Sequence, residues 1–289
     1  MEQSTTSVLV TGATGNTGAA LIDELARRDV PYRAMVRSAK DADRLARPPE
    51  SVAVADFDDD DAVAKALTGI ARAYLVTPSS ERVEAQQIRF VELAASAGVE
   101  HLVVLSQLGA SMDSPDRFLR YHAAVERRVE DLKLPYTFLR PNLYFQGLFN
   151  FAAGIASDRR FGAPIGDAQI SAIDVRDIGA VAAAALSEPG HTGQTYTLTG
   201  PRPITHSEIA RALSAALGHE VTFVDMPAEA FAQVLTGILP DWQIDGLVED
   251  YAHYRRGEAT AATTTVEDVT GRPPISIEQF AIDYADRFR

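Results

Sequence analysis

The chain has 289 residues, 46% hydrophobic and 23% charged, a globular composition that excludes disorder, collagen and coiled coil and allows a large core. Its 27 Lys and Arg stand against 40 Asp and Glu, and the resulting net charge of −13 repels phosphate backbones and anionic lipid, which argues against nucleic acid and membrane surfaces as partners. The absence of cysteine removes disulfides, thiolate catalysis and Cys-ligated metals, and no leader-like segment or apolar run of roughly 20 residues is seen, so a soluble cytoplasmic protein is expected.

Through the first half, short Val- and Ile-rich runs alternate with helical patterns. Residues 8–10, 33–36, 52–55, 74–76, 102–105 and 137–139 read as buried strands. Between them, Gly18, Leu21, Ile22 and Leu25 recur at helical spacing, as do Phe118, Val125, Val129 and Leu132, and Gly98 suits a helix C-cap. This alternation predicts an α/β fold with a doubly wound parallel sheet of Rossmann type.

After Pro141 the rhythm loosens. Tyr144, Leu148 and Phe151 on one face, with Phe145 and Phe149 on another, predict a buried helix. A strand at 170–175, a helix at 177–186 and a strand at 195–199 are expected to return to the sheet layer. A capping box over 205–208 opens a helix running to Gly218, a further helix covers 231–238, and Ser276 and Gln279 cap the last one, whose stripe is Phe280, Tyr284 and Phe288. The expected organisation is a dinucleotide-binding domain over 1–140, rejoined by 168–200. A smaller, mostly helical substrate region, 141–167 and 201–289, lies over the carboxyl ends of the strands.

The first strand runs into Gly12, Ala13, Thr14, Gly15, Asn16, Thr17 and Gly18, and then into an amphipathic helix. Such a loop serves a pyrophosphate: one glycine for the tight turn, one for close backbone approach and one for close helix packing, with the helix N-terminus facing the anion. The second strand ends in Val36 and Arg37 where an NAD site carries an acid, so a 2′-phosphate is expected and NADP(H) is favoured, unless Arg37 is only a surface arginine. Asp56, Phe57, Thr77 and Pro78 close the third and fourth strands and are expected to face the adenosine half. The acidic run 58–61 reads as the first turn of a helix and not as a metal site.

The glycine loop, the basic residue after the second strand, Leu105-Ser106 and above all the run L-P-Y-T-F-L-R-P-N ending at Asn142 together resemble the NmrA-like branch of the atypical short-chain dehydrogenase/reductases. Within that branch the sequence looks most like the NADPH-dependent quinone reductases and triphenylmethane-dye reductases. The branch also contains redox-sensing regulators, so a non-catalytic NADP(H)-binding sensor is the alternative reading. The resemblance implies that Ser106 stands where related enzymes polarise a substrate carbonyl, and that His122 occupies a position held by lysine in other relatives. His122 is expected to line the nicotinamide site or donate a proton, the alternatives being a structural helix residue there and a simple strand-end serine at 106. Asn142 and Tyr144 are expected to border the nicotinamide.

Typical members of the superfamily use Tyr-x-x-x-Lys, in which the lysine lowers the tyrosine pKa. Here the only lysines are Lys40, Lys65 and Lys133, and none lies four residues after a tyrosine. His122 and Glu126 are spaced i, i+4, which predicts a pair that raises the imidazole pKa. Tyr121 and His122 are about 100° apart on a helix, so only one of them is expected to face the cleft. Reduction of a simple ketone needs a positioned acid, whereas quinones, activated enones and cationic dyes yield delocalised anions or neutral products. The expected substrate is therefore a small, conjugated, apolar acceptor, held by Tyr144, Phe145, Phe149, Trp242 and Tyr251. A homodimer or a protein partner stays open.

Overall fold

The computed structural model describes residues 7–45 and 47–289. Its strands and helices run in chain order as β1 (Ser7–Val10), α1 (Asn16–Arg27), β2 (Tyr32–Val36), β3 (Ser51–Val54), α2 (Asp60–Leu67), β4 (Ile70–Leu75), α3 (Val83–Ser96), β5 (His101–Leu105), α4 (Arg117–Asp131) and β6 (Tyr136–Pro141). They continue as α5 (Ala152–Asp158), β7 (Arg160–Ala163), α6 (Val175–Ser187), β8 (Gln194–Leu198), α7 (His206–Leu217), β9 (Thr222–Asp225), α8 (Ala228–Leu235), α9 (Asp241–Arg255), α10 (Thr265–Thr270) and α11 (Ile277–Asp283).

Seven strands form one parallel sheet in the order β3-β2-β1-β4-β5-β6-β8. The order reverses between β1 and β4, which leaves a crevice at their carboxyl ends, the place where open α/β sheets take ligands. The central strands are buried on both faces, which is why they read as continuous apolar runs. β3 departs from that expectation: as an edge strand with one neighbour it leaves Val52 41% and Val54 52% exposed.

Helix α6 packs against α1, and its run of alanines permits a close crossing. At Gly179 the approach is tightest, because an added Cβ would meet the backbone of Ala20 at 2.6 Å. A separate apolar cluster fills the second lobe, with Phe145, Phe161, Leu213, Phe231, Tyr251, Phe280 and Phe288 at its centre. There β7 and β9 form a two-stranded parallel sheet, flanked by α5, α7 and α8.

Several expectations are corrected. Residues 170–175 form no strand. They make only single bridges, Ile170 to Ile204 and Ile173 to Tyr144, because successive residues bond to different segments, Ser171 N to Ala259 O and Ile173 N to Leu143 O, before Asp174 caps α6. The buried helix after Pro141 is a 3-10 segment, Phe145–Phe151, that passes into α5. The helix expected over 231–238 ends at Leu235, where Gly237 turns the chain with φ +80°. The short strands β7 and β9 and the helices α9 and α10 were not anticipated.

Replacing Gly179 by alanine should destabilise the protein by about 1–3 kcal/mol, since the new methyl meets backbone that cannot step aside. Urea unfolding measures this; unchanged stability would mean that the α1–α6 contact is looser than described.

Candidate active site

The glycine loop is built around close approaches. Gly12 has φ +56°, and Gly15 N donates to Gly12 O at 2.9 Å, closing the turn. A Cβ at Gly18 would collide with the Gly12 carbonyl, so the third glycine lets α1 press against the loop. Thr11 Oγ1 lies within 3.0 Å of both Tyr74 O and Val76 O, which share its one hydroxyl hydrogen, and accepts from Val76 N, which ties β1 to β4 at the crevice. Helix α1 begins without a side-chain cap and without an acidic residue in its first turn. Its free N–H groups and positive dipole end are thus available to an anion.

Two cavities flank this loop. The first, of about 590 Å³, is lined by Gly12, Thr14, Arg37, Asp56, Phe57 and Pro78, together with Arg44 and Arg82. Arg44 pairs with Asp41 and Arg82 with Asp58. Arg37 makes no hydrogen bond or ion pair among the described residues, so its guanidinium is free for a ligand. Arg44 is not signalled in the sequence: it lies eight residues past the end of β2, and the 3-10 turn Ala39–Arg44 carries it back to the cavity.

The second cavity, of about 530 Å³, runs from Gly12, Thr14, Gly15, Asn16 and Thr17, past Thr77 and Pro78, to Ser106, His122, Asn142 and Tyr144. Gly18 is buried behind it in a packing role. Ser106 Oγ and His122 Nδ1 are buried and unpartnered, as is Oε1 of Gln87, whose Nε2 donates to Thr77 Oγ1 at 2.9 Å. A polar ligand satisfies such atoms. Asn142 is already engaged, with its amide donating to Ser171 Oγ and Ala259 O and its Oδ1 accepting from Leu143 N. It therefore fixes the loop after β6 at the cavity wall.

The expected pair of His122 with Glu126 is absent. Glu126 instead takes a bidentate guanidinium from Arg140 on the neighbouring strand, which offers it two hydrogen bonds in place of one. The His122 pKa is accordingly lowered, to about 3, by burial and then by the charge of Arg140. Tyr121 and His122 both line the cavity, contrary to expectation: their rings pack at 4.0 Å and 36°, each reaching the cavity from one side of α4. Of the aromatic residues expected there, only Tyr144 lines it. Trp242 packs behind Phe118 and Tyr121, Phe145 and Phe149 belong to the second core, and Tyr251 faces a smaller apolar cavity with Phe145.

Helix α9, unseen in the sequence, closes the cavity and contributes Leu247, Asp250 and Tyr254. It is held to α4 by Arg117, whose side chain reaches Glu249 at 2.7 Å, and by Gly246, which leaves room for the Phe118 ring. Asp250 is buried. Its Oδ1 accepts from Gln107 Nε2 and its Oδ2 from Tyr254 OH, both at 2.7 Å. Burial and the nearby Asp116 carboxyl push its pKa well above the carboxylate range. The acidic run 58–61 lies where expected, with Asp59 capping α2, and no cluster of potential metal ligands occurs among the described residues. No helix among them is long and apolar enough to cross a membrane.

A glycine loop at the switch point of a parallel sheet, opening into a roofed cavity, defines a dinucleotide-binding protein of the Rossmann class. The model of the NmrA-like family matches residues 4–271, and the chain belongs to that family. It is 33% identical over 282 residues to an NAD(P)H azoreductase of Xenophilus azovorans, covering 97% of this chain and 99% of that one. The crystal structure of the NADPH-dependent quinone oxidoreductase of Escherichia coli complexed with NADPH superposes with a TM-score of 0.85 at 28% identity, over 95% of this chain and 98% of that chain. The Citrobacter sp. triphenylmethane reductase complexed with NADP(H) gives 0.85 at 25% identity, over 96% and 99%.

Burial holds His101 and His206 at about 4 and His122 at about 3, all below the free value of about 6.5. Their stabilising contribution is complete above about pH 6.5 and is lost as pH falls toward those folded values, because the unfolded chain then binds more protons. The urea midpoint should therefore drop between pH 7 and pH 5. The His122 ring resonances should not titrate between pH 5 and pH 8, and a titration there would contradict its burial.

Proposed function

We propose that the protein is an NADPH-dependent reductase that passes hydride to a quinone-like or other conjugated, electron-poor acceptor. The observation that carries this reading is the cavity itself. It leads from an uncapped helix N-terminus and glycine loop to a pocket walled by Leu105, Phe118, Tyr121, Tyr144 and Leu247. Family membership and the reductases named above support it.

The residues fit the cofactor. Gly12, Gly15 and the first turn of α1 would hold the pyrophosphate, with Thr14, Asn16 and Thr17 beside it, and Gly18 permits that approach. Arg37, with Arg44 near it, would take the 2′-phosphate, while Asp56, Phe57, Thr77 and Pro78 bound the adenosine side. Bound there, NADPH supplies the hydride, and the protein supplies orientation and exclusion of water.

Ser106 Oγ and Tyr144 OH are the donors placed to orient an acceptor oxygen at the far end of the cavity. Asn142 holds that wall rigid. His122, neutral at physiological pH, contributes an oriented imidazole through its unpartnered Nδ1 and holds no transferable proton there. None of the three lysines lines the cavity, so no Tyr-Lys acid is assembled, in keeping with an acceptor whose reduced form is delocalised.

Anaerobic NADPH oxidation should proceed with quinones and cationic dyes well above the uncatalysed rate, and slowly or not at all with simple ketones. A protein saturated with NADPH that reduces none of them would overturn this reading. In Arg37→Asp the KM for NADPH should rise about tenfold or more through loss of a charge-assisted contact, with little change for NADH. Unchanged NADPH affinity would remove Arg37 from the site.

A further inference from the structure

Asp116 and Asp250 are both buried, 1% and 4% exposed, and Asp250 lines the cavity roof. Asp116 comes from the cap of α4, where its Oδ1 accepts from Phe118 N at 2.7 Å, and its Oδ2 has no partner. Asp250 comes from α9 and has Asp116 beside it. Neither carboxyl has an ion-pair partner among the described residues. The cations nearby are committed elsewhere: Arg117 to Glu249, Arg256 to Glu258, and Arg120 to the Ser114 carbonyl, while His253 turns its Nδ1 to Glu258. The other groups facing Asp250 are Gln107 from the loop after β5, Tyr121 from α4, Tyr144 from the loop after β6, and Tyr251 and Tyr254 from its own helix.

Two buried carboxyls without a cation do not both ionise. A single proton shared between them also gives Asp116 Oδ2 the donor it otherwise lacks. We propose that Asp250, on the cavity roof beside Asp116, is the proton donor that completes the reduction of quinone-type acceptors in the cavity. This assignment rests on the reductase reading above. An acceptor carbonyl that has taken up hydride from NADPH carries a negative charge on oxygen. The O–H bond of Asp250 breaks, its electron pair stays on the carboxylate, and a new O–H bond forms on the reduced acceptor. As this proton leaves, Asp250 is held by the hydrogen bonds it accepts from Gln107 and Tyr254 and takes a replacement proton from solvent through the cavity in the same step, so the pair does not rest with two charges. This proton completes a reduced acceptor whose charge is already delocalised, so it does not extend the site to simple ketones.

The step separates two kinds of acceptor. A quinone needs hydride and a proton, whereas a cationic triarylmethane dye becomes neutral on hydride addition alone. In Asp250→Asn, which keeps shape and neutrality but carries no acidic proton, the ratio of quinone to dye turnover should fall about tenfold. In Asp116→Asn, which retains the helix cap, quinone turnover should be lost on raising the pH at a lower pH than in the unmodified protein, because the neighbouring charge that holds the proton on Asp250 is gone. Independently of turnover, the infrared spectrum at neutral pH should contain a protonated carboxyl band that Asp250→Asn removes. An unchanged ratio, or no such band, overturns the proposal. Absence of turnover with every acceptor in the unmodified protein fails the reductase reading and the proposal with it, and the band then still reports whether Asp250 is protonated.

Discussion

The close contact between Gly18 and the Gly12 carbonyl sets the geometry on which the rest of the site depends. A side chain at Gly18 would push α1 away from the end of β1, and the N–H groups at the start of the helix would no longer face the crevice. With glycine there, the helix starts directly over the carboxyl ends of the central strands, and its dipole has no side-chain cap or first-turn acid to answer it. Thr11 fixes the same point from below by bridging β1 to β4. The Gly179 crossing fixes α1 from the other side of that layer. An anion site in a protein with a net charge of −13 has to be local, and the helix end and Arg37 provide it locally.

The second lobe converts that crevice into a roofed chamber. Its core is independent of the sheet's cores, and α9 reaches from it across the cavity to α4. The contact is mixed in character: an Arg117–Glu249 pair at the rim, then the Phe118 ring seated on Gly246, with Trp242 beside it. This roof brings a carboxyl above a largely apolar pocket, where ionisation is costly. Burial thus acts in two directions within a few residues. It keeps the imidazole of His122 neutral and favours the protonated form of Asp250.

The parts of this arrangement that were legible in the sequence are those dictated by local chemistry. Buried parallel strands must be continuously apolar, and a phosphate-binding turn must carry small residues at set spacing, so β1 and residues 12–18 could be placed. Caps were equally plain, as at Thr205, whose box with Glu208 forms as expected, and at Ser276. Partners distant in the chain were not legible. Spacing alone joined His122 to Glu126, yet Arg140, fourteen residues on and one element away, offers a better fork and wins. Residues 170–175 look like a strand because most of them are apolar, but their backbone groups pair in turn with residues near 204, 259 and 143, all distant in the chain, and form no ladder. Helix α9 has a stripe, since Ile244, Leu247, Val248, Tyr251 and Tyr254 fall at helical spacing and pack on the second core, but Gly246 and the interleaved acids Asp245, Glu249 and Asp250 obscure it. Within it Asp250 follows Glu249 and looks like surface, and only the tertiary fold buries it.

The central claim is that the glycine loop and the chamber beyond it form one continuous NADP(H) site with an open acceptor pocket. The most direct measurement is the crystal structure of the protein with NADP⁺. The pyrophosphate should lie on Gly12, Gly15 and the start of α1, the 2′-phosphate on Arg37, and the nicotinamide against Ser106, Asn142 and Tyr144 with one face open beneath Asp250. A nicotinamide bound outside the chamber, or one whose free face is sealed by the loop after β6 or by α9, would contradict it.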